Sequence, residues 1–178
     1  NSTLPPLQPH VREALLVGAQ PSELLPTLSA APGMLTTDEQ METGFGLLPD
    51  GSMAVAVLTD MPAVTAQMWD WWFGWHCEDS RRYRLWHPRA HMFAAWADPD
   101  AEHPAGSDRQ RYVGRTSFVD EYLGSVRTEL AIQFLPPSDL GFPEKLLSDG
   151  QNTVIAARAG LSSAPLDAGY LVHHVREV

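Results

Sequence analysis

Four short stretches hold side chains whose types and spacing could do chemistry. In HPRAH, His87 and His91 stand four residues apart, and on one helix face two imidazoles at that spacing could share a metal ion. Pro88 argues against a helix running through both, because a proline interrupts a helix unless it lies in the first turn. One ligand from this pair is the expectation, rather than two. In SFVDEYLGS, Asp120 and Glu121 point to opposite faces of a strand, and Glu121 shares its side with Val119 and Leu123. A carboxylate among apolar neighbours is costly to bury unless it is paired or metal-bound, so Glu121 is the better candidate; the alternative is an edge strand with water on that side. In LVHHVREV, His173 and Glu177 have the spacing of a helical His-x-x-x-Glu pair. Tyr170, Val172, Val175 and Val178 nevertheless favour a strand, on which residues four apart are separated by roughly 13 Å. Either could line a pocket alone. Finally, Cys77 follows His76; a thiol–imidazole nucleophile can be drawn there, although no local feature would activate the thiol. Each lone histidine also has a plain reading as a hydrogen-bonded residue of the fold.

The elements that must position these groups centre on Trp69–His91. All six tryptophans lie between Trp69 and Trp96, and three of the seven histidines fall in Trp69–His91. Aromatic rings bury large areas, so this stretch forms a wall, either of a core or of an aromatic pocket with a metal at its edge. The pattern predicts a helix from about Ala63 to Trp75, capped by Asp60 with Pro62 in its first turn. Val64, Met68, Trp71, Trp72 and Trp75 would form its apolar stripe, read as core without excluding a ligand on part of it. Arg82–His91 reads as an extended piece leading into a short helical turn, and Ala97–Gln110 as a loop with a solvated His103. Beyond the loop the period changes to two, predicting strands over 111–125, 128–135, 152–161 and 168–178, with a short helix in 143–150. Upstream, Asp50-Gly51 marks a turn before a strand at Met53–Leu58. The proline-broken stretch before it suggests short helices, so that 1–35 is an N-terminal appendage and 36–178 the main domain. The fold class is α+β, with a mainly antiparallel sheet.

Composition narrows the partners. The 178-residue chain carries 12 Lys+Arg against 22 Asp+Glu, a formal charge of −10, which repels phosphate backbones and excludes nucleic acid as an expected partner. No apolar run reaches the length of about 18 residues that a membrane helix needs, and no signal peptide opens the chain. A single cysteine cannot close an internal disulfide, which suits the cytoplasm. The sequence starts without a Met and ends inside an apparent strand, so a fragment of a longer protein is expected.

Taken together, ETGF (Glu42–Phe45), LPDG (Leu48–Gly51), VLTDMP (Val57–Pro62), WDWWFGWH, RYRLWHPRAH and RYVGRTSFVDEYLGS resemble the diacetylphloroglucinol hydrolase and phloretin hydrolase family, from about Met34 to the end. The resemblance implies a Bet v 1-like helix-grip fold, a curved antiparallel sheet around a helix with an internal cavity. It implies a metal-dependent hydrolase that breaks the carbon–carbon bond between a phenolic ring and an acyl carbonyl, a retro-Claisen reaction of polyphenol degradation. In that family two His and two Glu hold one zinc. Carried over, His91 and Glu121 are the catalytic metal pair, Tyr83 matches a tyrosine on the phenolic hydroxyls, and His173 matches the acyl-side histidine. The family's second His–Glu pair belongs to a later helix, and GYLVHHVRE looks more like an earlier strand. Residues 36–178 are therefore expected to be truncated at the C-terminus and to lack half of the metal shell. A small aromatic ketone is the expected partner, with a homodimer left open. The rival expectation is a non-catalytic pocket protein that binds aromatic small molecules.

Overall fold

A computed structural model describes residues 6–36, 41–100, 106–147, 150–164 and 168–177. The chain divides into two compact units, residues 1–63 with 140–142, and residues 64–139 with 143–178. In the first, helix α1 (Pro9–Val17) opens with a proline in its first turn, where the missing N–H costs no helical bond. A single 3-10 turn at Ser22–Leu24 and a longer 3-10 segment at Leu28–Leu35 follow, the broken helices that the prolines predict. Strands β1 (Gly44–Leu47) and β2 (Met53–Ala56) then pair as a hairpin. Its turn is the expected one: the Asp50 carboxylate accepts from the Ser52 N–H and hydroxyl, and Gly51 takes φ +84°, open to glycine at no steric cost.

The second unit places two helices against a five-stranded antiparallel meander. Helices α2 (Ala66–His76) and α3 (Ser80–Trp86) precede β3 (His91–Trp96), β4 (Thr116–Leu123), β5 (Val126–Leu135), β6 (Asn152–Leu161) and β7 (Gly169–Arg176). The strands lie side by side in chain order. The alternating pattern predicts β4 to β7; β3 is not among the predicted strands. The short helix expected in 143–150 is a 3-10 turn at Glu144–Leu147, packed on β6. His103 lies outside the described residues.

Two features of the helical part differ from the sequence reading. The cap of α2 is Thr65, not Asp60, its hydroxyl accepting from the Met68 N–H at 3.1 Å. The Glu177 carboxylate, just past β7, accepts from the Ala66 N–H at 3.3 Å, placing a negative charge at the positive end of the helix. The buried face of α2 is Ala66, Phe73, Gly74 and His76, with Trp69 and Trp72 packed beside it. Met68 and Trp71 of the expected stripe are 52% and 42% exposed. Ring-on-ring contact explains the shift: Trp71 stacks on Trp75 at 5.0 Å, and the Arg82 guanidinium covers Trp75 at 4.5 Å, so these indoles satisfy each other on the outer side. The second difference is α3 itself, where a turn and an extended piece were expected. Asp79 caps it, accepting from the Arg81 N–H at 2.8 Å, and His87-Pro88 ends it.

A half-buried polar knot ties α2 to the sheet. The Asp70 carboxylate accepts from the Tyr112 hydroxyl at 2.6 Å, the Thr153 hydroxyl at 2.9 Å and the Arg109 guanidinium at 3.3 Å. Arg109 also donates to the Thr153 hydroxyl at 2.6 Å. One carboxylate thus joins α2, the Asp108–Arg111 turn and β6, and shared charge-assisted bonds of this kind rigidify more than isolated ones.

Candidate functional site

His91 and Glu121 are register partners on β3 and β4, which places their side chains on the same face of the sheet. A β-bulge makes this so. Between His91 and Phe93 the register shifts by one residue, so His91 joins Ala94 and Trp96 on the helix-covered face, whereas unbroken alternation would turn it outward. Arg84 of α3 donates to the carbonyl of Met92, the residue inside the bulge, at 2.9 Å.

The chemistry follows from hydrogen-bond direction. The Tyr83 carbonyl can only accept, so His91 Nδ1 carries the proton in their 3.2 Å contact. In neutral His91 that leaves a lone pair on Nε2, which faces Glu121 Oε2 at 3.5 Å. Burial holds His91 below its usual range, against the Tyr83 carbonyl. Burial also pushes Glu121 above the usual carboxylate range, opposed by the Tyr83 hydroxyl, which donates to Oε2 at 3.2 Å. Two acceptors facing each other call for a shared proton or a cation. An imidazole held in one tautomer by a backbone carbonyl is the usual arrangement of a metal-binding histidine, so the pair fits two ligands of a zinc shell. Among the described residues no cluster of three or more His, Cys, Asp or Glu could hold a metal.

Behind this pair runs a column of rings. Tyr83 lies flat on His91 at 3.9 Å and 2°, His76 stacks on Tyr83 at 5.6 Å and 16°, and Trp72 on His76 at 5.3 Å and 18°. His173 faces the same side from β7, opposite Ile155 in register, against the rings of Trp69, Phe73 and Trp86. Burial holds it down at about 4, so it is neutral at pH 7. Tyr83, His91, Glu121 and His173 thus share one face of the sheet unit.

The other candidates part from them. His87 reaches His91 through a tight turn, their rings 5.8 Å apart, and its Nδ1 accepts from the Ala90 N–H. Asp120 turns to the opposite face and pairs with Arg127. Glu177 serves α2 rather than joining His173. Cys77 is buried, and burial pushes its thiol up to about 12, so it stays protonated and inert.

His76, weighed in the sequence only as a partner of Cys77, belongs to the ring column. Its Nδ1 donates to the Trp72 carbonyl at 2.7 Å and its Nε2 accepts from the Cys77 thiol at 3.4 Å. Burial lowers it to about 4, with the His91 and His173 rings acting the same way. In the unfolded chain it titrates near the usual ~6.5. From about pH 6.5 down to 4 the unfolded state therefore binds the extra proton, so the stabilisation is complete above that window and is lost as pH falls through it. By pH 5 the loss from His76 is on the order of 2 kcal/mol. Urea midpoints should fall from pH 7 to pH 5, and His76→Leu should lessen that slope, with buried His173 contributing a further part; an unchanged slope would assign the dependence elsewhere.

Comparison with known proteins identifies the family. A family model described as the DAPG hydrolase PhiG domain matches residues 25–178. Phloretin hydrolase of Eubacterium ramulus is 34% identical over 128 residues, covering 71% of this chain and 47% of that protein. The 2,4-diacetylphloroglucinol hydrolases of a Pseudomonas species and of Pseudomonas protegens are each 33% identical over 144 residues, covering 77% of this chain and 48% and 46% of theirs. The chain spans about half the length of these curated relatives. With the family model matched over most of its length, the chain belongs to the DAPG hydrolase PhiG domain family.

Proposed function

We propose that the chain carries site residues of a zinc-dependent hydrolase that cleaves the carbon–carbon bond between a phenolic ring and an acyl group, on a sheet-and-helix frame of helix-grip type. The observation that carries the reading is the His91 Nε2 lone pair facing the Glu121 carboxylate beneath an aromatic wall. Zinc, when bound by His91 Nε2 and Glu121, supplies Lewis-acid polarisation and a water of lowered pKa. The chain's own groups do the rest. The Tyr83 carbonyl fixes the His91 tautomer, and the Tyr83 hydroxyl orients Glu121 or turns to a substrate hydroxyl. Neutral His173 holds or passes a proton on the acyl side, and the surrounding rings exclude water. In the net reaction a water oxygen ends on the acyl carbon, the ring carbon keeps the bonding pair and takes a proton, and a carboxylic acid leaves. A cytoplasmic setting suits the lone reduced thiol of Cys77.

The test is incubation with 2,4-diacetylphloroglucinol and with phloretin, followed by liquid chromatography and mass spectrometry. A carboxylic acid and a deacylated ring should form in equal amounts, stop on chelation and return with zinc. Turnover indifferent to chelation would remove the metal from the mechanism. Ketone bound but never cleaved by the zinc-loaded chain would leave a pocket protein.

A further inference from the structure

We propose that Trp86 is the residue that recognises the substrate's aromatic ring and sets a preference for aryl over alkyl ketones, an inference that rests on the hydrolase reading above. Trp86 is the last residue of α3, immediately before the His87-Pro88 stop. Its ring stands perpendicular to His91, with centroids 5.3 Å apart at 84°, and meets His173 at 5.9 Å and 55°. It therefore touches both the metal-pair histidine and the acyl-side histidine. Its remaining edge contacts, to Trp69, Trp72, Phe73 and His76 at 5.6–6.3 Å, fix its position.

Phe73 sits in the same cluster and shows what a purely structural ring looks like there, at 3% exposed. Trp86 keeps 37% of its surface open despite that packing. Trp71, comparably exposed, stacks on Trp75, on the far side of α2 from the buried face. An indole clamped on one side, open on another and in contact with both functional imidazoles is built to receive a flat ring. Aromatic rings pair at centroid distances of about 4.5–7 Å with an energy beyond area burial. An alkyl ketone reaching the same histidines would forgo that pairing, so discrimination falls on the ring rather than on the carbonyl.

Phloroglucinol, which has the ring without an acyl group to cleave, reads the contact without turnover. By calorimetry Trp86→Leu should weaken its binding about tenfold, and Trp86→Phe should restore it to within about threefold. In turnover, Trp86→Leu should raise KM for acylphloroglucinols more than it lowers kcat, and leave KM for an aliphatic 1,3-diketone unchanged. Wild-type binding of the ring with Trp86→Leu equal to it overturns this role alone; no ring binding by wild type overturns it together with the hydrolase reading. Should Trp86→Leu fail to fold, the indole N–H resonance that disappears in Trp86→Phe decides: a shift on adding phloroglucinol to wild type supports the contact, and a stationary resonance overturns it.

Discussion

Alanine at His91 or at Glu121 is expected to remove bound metal and turnover together, with kcat/KM falling roughly a thousandfold, since loss of a metal's charge stabilisation is a matter of several kcal/mol. The facing pair makes the two variants equivalent in outcome but not in cause. His91→Ala deletes Nε2 and also the ring on which Tyr83 lies at 3.9 Å. Glu121→Ala deletes the carboxylate and frees the Tyr83 hydroxyl. Glu121→Gln separates charge from shape, because the amide oxygen can still accept from Tyr83 while the charge is gone; it should behave like Glu121→Ala in metal content. Tyr83→Phe removes the hydroxyl that orients Glu121 or meets the substrate and should cost about 10–100-fold, with metal retained at saturating zinc. Elemental analysis beside steady-state kinetics checks the series, with circular dichroism confirming the fold. Full metal content in His91→Ala would take the ion away from this pair.

Glu121 was legible because a strand of alternating residues puts that carboxylate among Val119 and Leu123, and a buried carboxylate needs a partner. His91 as its partner was not legible from spacing. The pairing rests on β3, whose alternation is broken by the bulge after His91, and a bulge is set by how two strands meet rather than by either sequence alone. His173 was legible as a strand residue through its β-branched neighbours, which argued against a His173–Glu177 pair without closing it. The cap of α2 was misread because Asp60 and Thr65 are both good caps and local sequence does not choose between them. Helix α3 carried a signal that was passed over: Asp79 before SRRYRLW has the form of a capped start. Missing it hid Trp86 at the helix end, next to both histidines. The five-stranded antiparallel α+β architecture was readable in outline, since period two survives wherever one face of a sheet is covered.

The largest effect on stability is expected at Phe73, a residue outside the stripe that periodicity marks on α2. Counting apolar residues at i, i+4, i+7, i+8 and i+11 favours the bulky indoles of Trp71, Trp72 and Trp75, yet size is not burial. Phe73 is 3% exposed and meets Trp69, His76, Trp86, Tyr112, Phe134 and His173 at 5.1–6.0 Å. It joins α2 to the sheet and to both sides of the candidate site. Phe73→Ala removes the transferred area and leaves a cavity that rings on every side cannot collapse to fill, a cost of about 3–5 kcal/mol. For a chain of this size that is a melting temperature lower by about 10 °C. Trp71→Ala, on a ring 42% exposed and stacked on Trp75, should cost about 1 kcal/mol. The pair of melts decides which face of α2 is buried: a larger loss at Trp71 than at Phe73 would turn the helix toward the stripe. Because His173 and Trp86 both lean on Phe73, the milder Phe73→Leu should also raise KM for an aromatic ketone while the chain remains folded, tying the packing of α2 to the shape of the site.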